Sequence, residues 1–456
     1  MATVPALLRV AHAATAVNCP GDDLQTAITA AAPGDTLDVA GHCTGNFTID
    51  KDLTLQGDGS TVLDGNGSGT TVTITGTPTV TLGALTVTGG TGSVLGGVAP
   101  GTFGGGIANF TGTVTLTRVS VIGNTASGDN AYGGGIYDKG TLTLVSSTVS
   151  GNTVSGTTLA QGGGIITNGA LIVMNSTVSG NTASASLASA AGGGIMQSGI
   201  ASSVSLVSST IAGNTASSTL STAFGGGLAA ETSAAITTNA SIISGNTVSG
   251  TSTNGPDCDA VLASGGYNLV GNAADCSGFV GTDLQNVDPK LDALKNNGGP
   301  TKTRGLLAGS PALNAIPLTA GGACLVGQAA DQRGAPRPQG AGCEIGALEK
   351  GKTTTAVGSS DTSSTSGQAV TFTATVCANP SSLPATPTGT VKFRDGGTGP
   401  VLASGVSLAP GGGTHCAQAQ LTTSLLSSGR HKIVAIYRGD GANIKSRGSV
   451  IQHVAA

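Results

Sequence analysis

One tetrapeptide constrains this chain more than any other feature. Gly-Gly-Gly-Ile begins at Gly104, Gly133, Gly162 and Gly192, and returns as Gly225-Gly226-Gly227-Leu228. Between the copies lie short alternating segments: Thr113–Thr117 (TVTLT), Thr141–Val145 (TLTLV), Leu171–Asn175 (LIVMN) and Val204–Val207 (VSLV). Each unit closes on Gly-Asn-Thr, which sets Asn124, Asn152, Asn181, Asn214 and Asn246 in one register. The period is 28 to 33 residues, without a helical pattern of useful length. Three β-prone segments bounded by Gly or Asn turns therefore make up each unit. Three short strands cannot bury their apolar sides as an isolated sheet. Coiled, and stacked on the next coil about 4.8 Å away, they enclose a continuous core of Ile, Leu and Val. A propeller blade needs about 40–45 residues and four strands, so the shorter unit favours a solenoid.

Composition makes sense only with that period in view. Charged residues are 9% of the 456, aromatics are 2%, and there are 76 glycines. A soluble domain carries about 25% charge, and an aperiodic Gly/Ser/Thr chain stays disordered. The repeat and an apolar content of 38% decide for a fold. The net charge is −4 with no basic run, which argues against nucleic acid or an anionic membrane as partner. Stretch 140–230 has no charge at all, yet Gly, Ser, Asn and Thr interrupt every window of about 20 residues, so no membrane span is expected.

The asparagine column invites two readings of its own. Asn tolerates the left-handed backbone of a sharp corner, and stacked amides hydrogen-bond along a column. A row of amides that binds a ligand is the functional alternative.

Eight cysteines fall by order into four local pairs: Cys19/Cys43, Cys258/Cys276, Cys324/Cys343 and Cys377/Cys416. The even count points to disulfides and an oxidising compartment, while the connectivity stays open. No CxxC occurs and no His interleaves with Cys, which argues against zinc. Residues 1–16 (MATVPALLRVAHAATA) read as the remnant of a signal peptide. Ala11-His12-Ala13 and Ala14-Thr15-Ala16 both have the small-x-small form of a cleavage site. A disordered N-terminus is the alternative.

Asp22–Ala32 (DDLQTAITAAA) is the one amphipathic helix, with Leu24, Ala27, Ile28 and Ala31 on one face and Pro33-Gly34 as the stop. It is placed to cover the open end of the solenoid. Thr36–Ala40, Phe47–Ile49, Leu53–Leu55, Val72–Thr75 and Val80–Thr88 are strand-like and make the first coils.

The run from Cys19 through DLQTAITAAAPGDTLDVAGHCTGNFTIDKDLTLQG resembles the opening coils of pectate-lyase-like β-helix proteins. The GGGI and SGNT repeats are similar to polymorphic-membrane-protein-like repeats of bacterial secreted β-helix proteins. NNGGPTKTRGLLAGSPALNA (296–315) and DQRGAPRPQGAGCEIGALE (331–349) resemble the choice-of-anchor Q domain that closes such solenoids. Residues 351–456 resemble a bacterial Ig-like repeat domain, through Ala369–Cys377, Pro387–Asp395 and His431–Asp440, with Gly351–Gly367 as linker and first strand. Alternating strands at that spacing suit a β-sandwich. Cys377 and Cys416 would join neighbouring strands there. These resemblances imply an all-β chain: a right-handed single-stranded parallel β-helix with an N-terminal capping helix, then an Ig-like sandwich. The expected divisions are a signal remnant over 1–16, an N-terminal cap and first coils over 17–60, and repeats over 61–255. C-terminal coils and a cap follow over 256–350, and the Ig-like domain over 351–456. The family resemblance implies export and surface association, and brings no established activity.

Chemistry is sparse. Glycoside hydrolysis needs paired carboxylates, and a lyase needs a base, usually beside acidic residues that hold Ca²⁺. Between Gly104 and Gly250 the only charged residues are Arg118, Asp129, Asp138, Lys139 and Glu231, with Asp138, Lys139 and Glu231 read as turn positions. No catalytic pair is assembled from them, and no catalytic residue is assigned. Asp331, Arg333, Arg337, Glu344 and Glu349 are the richest polar cluster, read as ties within the cap with a site as the alternative. Asp58, Asp64 and Asn66 lie in Gly-rich turns and offer at most a loose Ca²⁺ position; no other cofactor is expected. Phe103, Tyr132 and Phe224 directly precede the triple glycine in three of five repeats, where Gln161 and Ala191 stand in the others. Such rings stack on sugars; an interrupted row also reads as packing at a corner. Arg438-Gly439-Asp440 spells an integrin-type tripeptide in a turn where the arginine is incidental.

Three functions remain as expectations. The first is a secreted or cell-surface, non-catalytic structural or adhesive protein that binds polysaccharide or host and cell-surface glycans. The second is a polysaccharide lyase or glycoside hydrolase of the pectate-lyase-like fold. The third is ice binding through rows such as Thr71-Val72-Thr73 and Thr113-Val114-Thr115, although outward Thr is common in strands generally.

Overall fold

The computed structural model describes residues 14–95, 101–199, 201–231, 235–318, 324, 329–379 and 385–456. Three stacks of short parallel strands wrap one core as a right-handed solenoid. The first face contains Phe47–Ile49, Val72–Ile74, Ile107–Asn109, Ile136–Asp138, Ile165–Thr167, Ile195–Gln197 and Leu228–Ala230. The second contains Leu53–Gly57, Thr79–Gly83, Thr113–Thr117, Thr141–Val145, Ala170–Met174, Ser203–Val207 and Ile236–Asn239. The third runs through Val62–Asp64, Thr86–Thr88, Ser120–Ile122, Thr148–Ser150, Thr177–Ser179, Thr210–Ala212 and Ile242–Ser244.

Register follows the tetrapeptide. Ile107, Ile136, Ile165, Ile195 and Leu228 sit directly above one another and are fully buried. Val114, Leu142, Leu171 and Val204 form the matching column of the second face. Truncating any of these to alanine costs about 2–5 kcal/mol. The three glycines serve different needs. Gly133 has φ +69°, the left-handed region that favours glycine. A Cβ on Gly134 would stand 2.4 Å from the Thr153 carbonyl carbon, and one on Gly135 would stand 2.6 Å from the Gly164 oxygen. Only glycine lets the coils approach this closely.

The helix spans Leu24–Ala30, shorter than expected, and Asp23 caps it through its side chain to the Thr26 N–H at 2.9 Å. Leu24 and Ile28 face the core. Gln25 reaches the edge strand, accepting from the Thr48 N–H at 2.7 Å and donating to the Thr48 carbonyl at 3.2 Å, so the helix satisfies backbone groups that the first strand would otherwise leave unpaired. Residues 1–13 of the expected signal remnant lie outside the described residues. Thr15 and Ala16 already belong to a strand, Thr15–Cys19, paired with Leu37 and Asp38.

Each repeat carries a fourth strand element that the three-segment reading missed. Thr125–Tyr132 and Thr153–Gln161 leave the third face and return toward the triple glycine as a flap; in the next two coils Thr182–Ala185 and Thr215–Ser218 leave and Ala190–Ala191 and Thr222–Phe224 return, all stacked coil on coil in one sheet. Ala126, Ala131, Val154, Ala160, Ala183, Ala185 and Ala190 fill the space between its arms. Alanine is small enough to let two arms lie close, and its weak strand preference concealed the element.

The expected cap is corrected to a strap. The last coils end with Leu269–Val270 and Leu284–Gln285. The chain then runs back along the flank instead of closing the end. Thr301 Oγ1 donates to the Ser146 carbonyl at 3.0 Å, Gln332 Nε2 to Thr148 Oγ1 at 2.9 Å, and Arg304 Nε to Ser179 Oγ at 2.8 Å. Thr148, Thr177 and Thr210, outward on the third face, are buried beneath it. Asp331, Arg333, Arg337, Glu344 and Glu349 are all buried inside the strap. Arg333 pairs with Asp331 at 2.9 Å and Arg337 with Glu349 at 3.0 Å. Burial and the neighbouring Glu349 carboxylate raise the Glu344 pKa.

The C-terminal sandwich packs a four-stranded sheet on a five-stranded one around Phe372, Phe393 and Tyr437. No slack linker precedes it: Gly351 bridges to Asn443, and Thr353–Ser359 is the first strand. Lys350 Nζ donates to the carbonyls of Leu306 (2.8 Å) and Asp440, joining strap to sandwich. Four disulfides, Cys19–Cys43, Cys258–Cys276, Cys324–Cys343 and Cys377–Cys416, pair neighbours in sequence order. Cys377 and Cys416 are register partners on adjacent strands.

Candidate functional site

The asparagine column is internal. Asn124, Asn152, Asn181 and Asn214 are fully buried where each coil leaves the third face. Each Nδ2 donates to the next asparagine Oδ1 at 2.9–3.0 Å. Its other hydrogen goes to a carbonyl of the preceding coil, as from Asn152 to Val121 and from Asn181 to Val149. Asn246 ends the run on Asp257 Oδ1 at 2.9 Å; burial raises the Asp257 pKa. The amide hydrogens are spent, so this column presents nothing to a ligand. The left-handed corner expected at these asparagines belongs instead to the residue before each: Gly123, Gly151, Gly180, Gly213 and Gly245 have φ between +62° and +70°. A second ladder went unread in the sequence. The hydroxyls of Ser176, Ser209 and Ser241 accept from the backbone N–H of Ser147, Ser176 and Ser209. Its only signal was the recurrent serine just before each third-face strand.

The ring column is different. Phe103, Tyr132, Gln161, Ala191 and Phe224 end the returning arm of the flap, next to the outward mid-strand residues of the first face, Tyr137, Ile166, Met196 and Ala229. The residues that follow those strands (Phe110, Lys139, Asn168, Ser198 and Glu231) form the opposite rim. All of these but Ala191, Phe224, Met196 and Ala229 line a groove of about 500 Å³, within the range of small-molecule sites. Phe103 and Tyr132 stack at 5.1 Å with planes 13° apart. Tyr137 meets Phe103 edge-on at 4.8 Å, and Phe110 lies 5.8 Å from Tyr137. Of the four rings in the groove the sequence pointed to Phe103 and Tyr132 and missed Phe110 and Tyr137, which belong to other motifs and join them only through the stacking of coils; Phe224, expected in the same row, packs on the adjoining apolar cluster outside the groove lining.

Glu231 extends across the groove. Its carboxylate accepts from Gln161 Nε2 and from Ser198 Oγ, both at 2.6 Å. Burial, then the Glu231 charge, raises the Tyr132 pKa. Burial is likewise the main cause of the raised Tyr137 pKa. Both phenols are therefore neutral at pH 7 and able to donate. Asp138, read as a turn residue, is corrected to a buried strand end on the core side, between Asn109 Nδ2 (2.7 Å) and Thr167 Oγ1 (2.9 Å). Burial pushes its pKa up to about 6. Asp138 and Tyr137 thus point to opposite sides of one strand, and Glu231 is the single carboxylate lining the groove among the described residues.

Other expected positions are occupied by local structure. Asp58 accepts from the N–H and hydroxyl of Ser60, both at 2.8 Å, which lower its pKa to about 2. Asp64 pairs with His42 at 3.0 Å. Among the described residues no three His, Cys, Asp or Glu side chains converge as metal ligands would. Asp440 of the Arg-Gly-Asp turn accepts from the N–H groups of Thr388, Ala442 and Asn443. A junction cavity of about 420 Å³ near Lys295 and Asp440 has no ring in its lining. On the second face, Thr79/Thr81, Thr113/Thr115 and Thr141/Thr143 align in register, but Ala170/Ile172 follows. Thr71 is buried. The threonine rows are therefore short.

Comparison with known proteins bears on both halves of the chain. The crystal structure of pectate lyase Pel9A is similar to 72% of this chain and 90% of its own, at 12% identity and a TM-score of 0.38. No curated protein matches. Residues 357–455 match the family described as bacterial Ig-like domain (group 3). No helix among the described residues is long and apolar enough to cross a membrane. The chain is a right-handed parallel β-helix followed by a bacterial Ig-like domain.

Proposed function

We propose that this is an extracellular, non-catalytic glycan-binding protein whose solenoid holds a saccharide in the ring-lined groove. The Phe103–Tyr132 pair carries the reading, because partly exposed aromatic rings beside hydroxyl, amide and carboxylate groups match the apolar face and polar edge of a pyranose. The groove's single carboxylate favours binding over hydrolysis, which needs two across the scissile bond. Four disulfides in one chain support an oxidising, extracellular setting. The bacterial Ig-like domain adds to that support.

A glycan array probed with the full chain, scored for retained protein and released sugar in the same wells, tests this. Specific retention without release, abolished by Tyr132→Ala, is the expected result. Release of sugar, or retention unchanged in Tyr132→Ala, overturns it.

A further inference from the structure

Two opposite charges, Lys139 and Glu231, line the groove. Lys139, Asn168, Ser198 and Glu231 each follow the first-face strand of successive coils, so three coil steps part Lys139 from Glu231. At about 4.8 Å per step that is about 14 Å of backbone, which the Glu231 side chain shortens by reaching back to Gln161, on the coil next to that of Lys139. Lys139 is exposed and contacts no carboxylate among the described residues. Glu231 is exposed but fixed: Gln161 and Ser198 take one acceptor position on each oxygen. A carboxylate has about four such positions, so Glu231 keeps capacity toward the groove. The intervening stretch 140–230 contributes no charge. The rings of Tyr132 and Phe103 lie at the Lys139 end of the groove, Tyr132 in the same coil as Lys139 and Phe103 in the coil before it.

We propose that the groove selects a glycan bearing both signs of charge, an ammonium group held at Glu231 and an anionic group held at Lys139. This rests on the glycan-binding reading of the same groove and names the class of saccharide. An alternating chain of uronate and unacetylated hexosamine units has the required chemistry. Ring stacking supplies contact with any pyranose, and the two poles supply the choice among pyranoses, since charge complementarity contributes more to specificity than to raw affinity.

Calorimetric titration of the full chain with three hexasaccharides tests the proposal. The probes are alternating glucuronate–glucosamine, its N-acetylated counterpart (anionic only) and a glucosamine homopolymer (cationic only). The zwitterionic chain should bind about fivefold more tightly than either of the others, as the one additional exposed ion pair allows. That advantage should shrink at high salt. Glu231→Gln should remove the advantage over the anionic chain, and Lys139→Met the advantage over the cationic one. Equal dissociation constants for the three probes, all weakened by Tyr132→Ala, would overturn the charge proposal and leave the ring reading standing. A preference that survives both charge variants would also overturn it. No binding by any of the three overturns both readings of the groove.

Discussion

The asparagine column and the ring column each recur about once per coil, but they end in opposite physical situations. Along the asparagines every donor finds a partner inside the wall, and the column is sealed. Along the rings, Gln161 and Ala191 interrupt the row, and Phe103 and Tyr132 remain half-buried beside a groove. Regular repetition thus marks what every coil needs, and irregularity marks what only some coils do. A ladder works because each rung is the same. A binding surface needs differences, since a ligand of finite length reads only certain positions.

The largest test strikes the ladder. Asn181→Ala leaves the Val149 carbonyl, the Asn152 amide and the Asn214 carbonyl oxygen short of partners. Buried polar groups left unpaired cost about 1–3 kcal/mol each and add imperfectly. A loss of about 4 kcal/mol in denaturant unfolding is expected; under 1 kcal/mol would mean the column is not structural. Asp138 probes the interior by pH. Its folded pKa of about 6 lies above the ordinary carboxyl value. Its contribution is therefore complete below about pH 4 and is lost as pH rises through 6. Asp138→Asn should be about 2 kcal/mol more stable than the parent at pH 8 and little different at pH 4. Equal stabilities at pH 8 would show that the carboxylate is not desolvated.

Tyr132→Ala should behave in reverse to Asn181→Ala: glycan retention down about tenfold, stability changed by less than about 1 kcal/mol. If it unfolds the protein as Asn181→Ala does, the ring row is packing and the contrast between the columns collapses. The smallest effect is expected at Ser209→Ala, which removes one rung of the serine ladder. A loss of about 1 kcal/mol, read from the same unfolding curves, would rank this ladder below the asparagines.

Much of the fold was legible. Period, strand alternation and the tetrapeptide located the coils, and the Ig-like strands were readable from Val370–Ala378 and Gly429–Tyr437. The flap was not, because Ala and Ser at its positions carry little strand signal and are buried only by their own neighbours. The strap was not either, since its partners lie far away in sequence: Thr177 and Gln332 are 155 residues apart. Of the groove's rings, Phe103 and Tyr132 were visible as part of a column with Phe224, which itself lies outside the groove lining. Nothing local joins them to Tyr137, or Gln161 to Glu231 across 70 residues.

The sequence by itself determined the solenoid, its coil length and its tight corners, because alternation, glycine φ and apolar spacing act over a few residues. Tertiary structure decided everything that depends on which coil lies above which. Stacking in register placed Glu231 over the groove, turned Asp138 away from it and buried the outward threonines of the third face under the strap. Those outcomes rest on contacts between residues that no local rule connects, and the candidate site is made of such contacts.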